Sequence, residues 1–160
     1  VSGGFAEAAE AYRGPDGDAT RALYARLGQH GPAGVVAVNL FRAQKASERA
    51  KVYRGGERGR GSFRRMAYDR KGWAIGNLCT TLATHAGALG IVWGRGFDPD
   101  QPVHRLVLYV NLPSGQVSFH AAERGPGPDY PASWDGVTGI GPQRILTWIG
   151  RLLDGAEAAP

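Results

Sequence analysis

A single cysteine, Cys79, stands in 160 residues, so no disulfide can form within the chain and its fold must rest on a buried core. A chain of this length buries roughly 70% of the surface its unfolded form exposes, enough to fold without a covalent or metal staple. Sparse cysteine points to a reducing compartment, and a cytoplasmic location is expected. No apolar run approaches the ~20 residues that span a bilayer. Val1–Glu10 also lacks the basic start and apolar stretch of a signal peptide. No membrane association is expected. Phosphate-loop signatures are missing too. There is no Gly-x4-Gly-Lys-Ser/Thr, and Gly56, Gly59 and Gly61 are spaced Gly-x-x-Gly-x-Gly rather than as the dinucleotide fingerprint. A Walker-type ATPase is excluded. Neither His-Glu-x-x-His nor Cys-x-x-Cys occurs, and His30, His85, His104 and His120 show no paired ligand spacing. No cofactor is implied. The one metal alternative is a catalytic divalent ion held by Asp and His.

What the chain has in excess is glycine, with 25 residues at about twice the usual share, and positive charge in one place. Between Arg42 and Lys71 eleven basic residues face three acidic ones, a net +8. The whole chain is only +5, so the remainder sums to −3.

Hydrophobic spacing divides the chain into helices followed by strands. Phe5–Tyr12 predicts a short helix inside an N-terminal arm, residues 1–17, that ends at Gly14-Pro15-Asp16-Gly17. Asp18 is placed as the N-cap of a helix to about Gln29. A second helix, from Ala33 to about Tyr53, presents Val36, Leu40, Ala43, Ser47 and Ala50 on one face. A short strand over Val35–Val38 competes with its start. Arg54–Gly61 reads as a flexible basic loop. A long helix follows from Phe63 or Met66 to Leu89, capped by Gly90. Ile91–Trp93 and Val103–Asn111 predict strands. The turn Leu112-Pro113-Ser114-Gly115 then returns the chain as Gln116–Ala121, with Asn111 opposite Gln116. A loop over 123–142 precedes a closing helix to Leu153, whose Ile145, Leu146, Ile149, Leu152 and Leu153 share a face. Residues 156–160 form a frayed tail. The expectation is one α+β domain over 18–155, with helices packed on one face of a small antiparallel three-stranded sheet.

Two constellations carry chemistry. The first is the basic segment. Arg42, Lys45 and Arg49 form a helical stripe, and Lys51, Arg54, Arg58, Arg60, Arg64 and Arg65 continue it. Cations in this number neutralise several phosphates and release counterions as they bind. Tyr53, Phe63, Tyr68 and Trp73 lie among them as stacking surfaces for bases. The competing reading is a solvated face whose cations pair with Glu48, Glu57 and Asp69. The second is the hairpin. Gln116, Ser118 and His120 share one side of the last strand, and the following loop delivers Asp129, Tyr130, Trp134 and Asp135. A carboxylate beside an imidazole fixes its tautomer and raises its pKa, the usual acid/base pairing, and Ser118 is placed to contact His120. A polar exposed hairpin face is the competing explanation.

The order helix–strand–strand–strand–helix over Met66–Leu153 is similar to that of metal-dependent nucleases of the restriction-endonuclease type. Their acids and lysine would fall at Asn111 and at Gln116 and Ser118, so the chemistry is missing. A broader resemblance rests on Leu40-Phe41-Arg42-Ala43-Gln44-Lys45, on Arg49-Ala50-Lys51-Val52-Tyr53-Arg54-Gly55, and on Leu112-Pro113-Ser114-Gly115-Gln116-Val117-Ser118-Phe119-His120. Gly127-Pro128-Asp129-Tyr130 and Trp134-Asp135-Gly136 extend it. On these blocks the chain, from about Leu23 to Leu153, resembles a group of short bacterial and phage proteins to which no activity is assigned. The resemblance implies a phage or mobile-element setting and no particular reaction. Similar proteins often have Asp where Asn111 stands, and if that acid works in catalysis, this chain is impaired.

The leading expectation is therefore a small domain that engages nucleic acid or a nucleoprotein through residues 42–71. The alternatives are an enzyme acting on a phosphate-containing substrate through His120 and Asp135, and a protein inhibitor of a host nucleic-acid machine.

Overall fold

The computed structural model describes residues 3–14, 16–53, 63–97, 105–113, 115–122 and 142–155. Five helices and three strands follow one another: α1 (Gly3–Arg13), α2 (Asp18–Gly28), α3 (Gly31–Val52), α4 (Phe63–Leu89), β1 (Val92–Phe97), β2 (Arg105–Leu112), β3 (Gly115–Ala122) and α5 (Pro142–Leu153). The class is α+β, as expected.

The sheet is antiparallel in the order β1-β2-β3. Asn111 pairs with Gln116 and Leu112 with Gly115, the register that the Pro113–Gly115 turn predicts. Alternation then sends Leu108, Val110, Val117 and Phe119 to one face, where they join a core supplied by Leu40, Ile75, Leu78 and Leu82 of α3 and α4. Gly94 and Gly96 do not stop β1, which extends to Phe97 rather than ending at Trp93. Pairing along β2 carries the strand through both positions.

Helix α3 is the centre of the molecule. One flank lies along α4 and the sheet; α2 and α5 pack elsewhere on it, and α1 packs on α2 and α5. Val35 and Val38 are helical, because burial of Val36, Leu40 and Phe41 decides the conformation over β-branched propensity. The segment expected as an arm contributes α1, whose Ala8 and Ala11 lie in the core. Arg26 ties this side together, donating to Glu7 Oε2 at 2.9 Å and to the Leu153 carbonyl at 3.1 Å. Helix α5 buries Trp148 together with the predicted Ile145 and Ile149.

The helix ends show two capping outcomes. Gly90 (φ +67°) closes α4: its N–H donates to the Gly87 carbonyl at 3.3 Å, and the Ile91 N–H to that of Ala86 at 2.9 Å. This is a Schellman arrangement. At α2, Asp18 is not the N-cap. Gly17 takes that position, and the Asp18 carboxylate pairs instead with Arg21 one turn on. Its charge still favours the positive end of the helix.

Gly34 marks the closest approach in the fold. A Cβ there would sit 1.6 Å from the Leu27 carbonyl oxygen, which belongs to backbone and cannot swing aside. Gly34→Ala is expected to cost about 2 kcal/mol in urea denaturation, because α3 must move off the end of α2. Gly76 has open space around the corresponding position. Gly76→Ala is expected to stabilise by about 0.5–1 kcal/mol through helix propensity.

Candidate nucleic-acid interface

Helix periodicity aligns Arg42, Lys45 and Arg49 along α3, and the fold gives each a different role. Arg42 is exposed, with its guanidinium carbon 4.5 Å from the centroid of the Tyr24 ring on α2. This cation–π placement holds the guanidinium at the rim. Burial pushes the Tyr24 phenol up, and Arg42 opposes that shift.

Arg49 forks onto Asp16. Nη1 donates to Oδ2 at 3.1 Å and Nη2 to Oδ1 at 3.3 Å. Lys45 departs from the sequence expectation. It is only 6% exposed, and its ammonium donates to the Ala11 carbonyl at 2.8 Å, to Asp16 Oδ1 at 3.0 Å and to Thr20 Oγ1 at 3.3 Å. Its ammonium nitrogen lies 5.8 Å from the centroid of the Phe41 ring. A cation with its donors committed internally holds α1, α2 and α3 together. It contributes field to the surface but no direct contact.

These groups border a cleft of about 400 Å³ among α2, α3 and α4. Arg21 reaches it from α2, Arg42, Lys45 and Arg49 from α3, and Arg70 from α4; Asp16 is the carboxylate in its lining. Five cations therefore surround one anion. Counting Asp18, which pairs with Arg21, the local balance is still +3. Among the described residues no carboxylate pairs with Arg42 or Arg70.

The remainder of the basic segment does not share this geometry. Lys51 pairs with Glu48 at 3.2 Å and Arg65 with Asp69 at 3.2 Å, each within its own helix. Arg64 lies over the Tyr68 ring. Tyr53 stacks on Phe63, with centroids 6.2 Å apart and planes 22° apart. Arg54, Arg58 and Arg60 lie outside the described residues. Among the described residues the positive charge is thus not one continuous field: its focus is the cleft. Arg21, Tyr24 and Asp16 were absent from the sequence-derived site. Arg21 and Tyr24 share a face of α2 at i, i+3, but only tertiary packing brings that face to α3.

Arg49, and behind it Lys45, hold the Asp16 carboxyl well below the usual range, at about 2. A carboxyl lowered on folding stabilises the protein above its unfolded value near 4, and that stability is lost as pH falls through the folded value. The Asp16 side chain is 62% exposed, so solvent screening keeps the contribution to about 1 kcal/mol or less. The pH-dependent part of the stability difference between wild type and Asp16→Asn is expected to be full above about pH 5 and to be lost as pH falls through about 2, as read from urea melts.

The hairpin residues lie elsewhere. Ser118 is half-buried opposite Tyr109, and His120 is exposed opposite Val107. Both are on the face of β3 turned away from Val117 and Phe119, and hence from α3 and α4. His120 and the arginine cleft therefore do not share a cavity. Gln116, on that same face, is buried and donates from Nε2 to Asn111 Oδ1 at 3.3 Å. Asp129, Asp135 and His104 lie outside the described residues. Among the described residues no three His, Cys, Asp or Glu side chains gather as metal ligands, and no helix is long and apolar enough to cross a membrane. Comparison of the chain with protein-family models, curated proteins and solved structures finds no match.

Proposed function

We propose that this chain binds nucleic acid, seating the phosphate backbone in the cleft between α2, α3 and α4. The observation that supports this is the meeting of Arg42, Arg49 and Arg70 from two helices beside Tyr24, with cations outnumbering carboxylates in the cleft. Planar guanidinium groups suit phosphate oxygens because they offer paired, fixed donors. Arg42 and Arg70 meet phosphate directly, and Arg49 shifts part of its fork from Asp16 to the ligand. Asp16 keeps the empty cleft from accumulating unopposed charge.

Three phosphate contacts imply a slope of about −2.7 in log affinity against log salt for duplex DNA, and about −2 for a single strand. Fluorescence anisotropy with generic oligonucleotides tests this. Duplex affinity is expected to fall about 40-fold between 50 and 200 mM salt. Binding that ignores salt, or no binding at low salt, would remove the proposal.

A further inference from the structure

We infer that the preferred ligand of this surface is single-stranded nucleic acid, with its bases laid on an aromatic stripe of α4 and its phosphates in the arginine cleft. This rests on the nucleic-acid reading above and adds the strandedness of the ligand.

Phe63, Met66 and Trp73 are 73%, 42% and 76% exposed, although a helix of this fold buries most large apolar side chains. At 100° per residue, Phe63, Met66, Arg70 and Trp73 fall within about 80° of one another on α4. They make one stripe about 15 Å long. Arg70 stands inside that stripe and also lines the cleft, so the two features are continuous. At its N-terminal end Phe63 is stacked on Tyr53, which enlarges the flat surface there.

Contiguous exposed apolar groups mark an interaction surface. The chemistry of this one selects among partners. A purely apolar protein face would bury Arg70 without a counter-charge, which is costly. A nucleic acid brings both halves at once: phosphates for Arg42, Arg49 and Arg70, and π-faces for Trp73 and Phe63. A duplex hides its base faces inside the stack and offers only phosphates and groove edges. A single strand exposes them, and base–aromatic stacking tolerates any sequence.

The test compares one labelled mixed-sequence single strand with the duplex formed by its complement, at equal salt, using the full chain. The single strand is expected to bind at least about tenfold tighter. Trp73→Ala and Phe63→Ala are each expected to lower single-strand affinity about tenfold and duplex affinity less than about twofold. The exposure of Trp73 and Phe63 means both variants keep their thermal midpoint. Equal affinity for the two forms, untouched by Trp73→Ala, would overturn this inference while leaving the cleft reading intact. Absence of binding to either form would overturn both. Vesicles of anionic phospholipid, and sedimentation of the chain alone, complete the set. Trp73-dependent binding to vesicles, or Trp73-dependent self-association, with no strand preference would assign the stripe to a lipid surface or to a second copy instead.

Discussion

Under the proposed function, reversing charge at Arg42 and Arg70 together is expected to lower nucleic-acid affinity by about 100-fold at low salt. Each reversal removes one phosphate contact and adds a repulsion, so roughly 1.4 kcal/mol per site is a modest expectation. The salt slope changes with it, losing about one unit of log–log slope for each contact removed. Both side chains are exposed at the cleft rim and pair with no carboxylate among the described residues, so Arg42→Glu/Arg70→Glu is expected to fold normally. Lys51→Ala is the informative contrast. Lys51 belongs to the same basic segment but pairs with Glu48 on its own helix. Its loss is expected to change affinity less than about threefold. Equal losses from Lys51 and from Arg42 would mean a diffuse cationic surface, with no special role for the cleft. Anisotropy titrations of the two variants decide between these.

The second large effect concerns stability. Lys45→Ala is expected to cost about 3 kcal/mol in chemical denaturation. It removes three donated hydrogen bonds, leaves the Ala11 carbonyl to the longer 3.4 Å bond from the Thr20 hydroxyl, and empties the space beside Phe41. Lys45→Met restores most of the stem volume and is expected to recover about 1 kcal/mol of that loss. Were Lys45 a solvated cation like its neighbours in the stripe, either change would cost less than about 0.5 kcal/mol. A small loss would therefore contradict the internal placement of its ammonium. Because Lys45 makes no ligand contact, Lys45→Met is expected to weaken nucleic-acid binding only about threefold, through the lost field.

The contrast between Lys45 and its neighbours shows where sequence pattern stops being informative. The apolar face of α3 at Val36, Leu40, Ala43 and Ala50 was legible from spacing, and all four are buried. A second buried flank, with Phe41, Gln44 and Lys45, was not. Periodicity searches for one face, whereas α3 is enclosed by α4 on one side and α2 on another. Between them these flanks leave little of its circumference polar and exposed. The hairpin was readable down to its register, because a period of two and a short Pro-Ser-Gly turn leave a single consistent alignment. The closing helix was readable for a similar reason, although Trp148 was missed among its buried residues.

The candidate site was only half legible. Composition marked the stretch from Arg42 to Lys71, since a net +8 in a chain of +5 is conspicuous. It did not separate cations paired within their own helix, such as Arg65 with Asp69, from those that face the cleft. Arg21 and Asp16 belong to the site through packing of α2 and the segment before it, which no spacing in α3 or α4 encodes. Ser118 and His120 were correctly placed on a common strand face, but that face lies away from the arginines. Sequence adjacency brought those two together; the sheet then turned them from the helices.

Side-chain NMR offers the sharpest discrimination. The Nε–H resonances of Arg42, Arg49 and Arg70, titrated with a generic single-stranded oligonucleotide, are expected to shift together and saturate at one affinity, while the His120 ring stays still. Arginine signals that remain in place while the Ser118–His120 face of β3 responds would show that the ligand binds the sheet instead, and the cleft would lose its role.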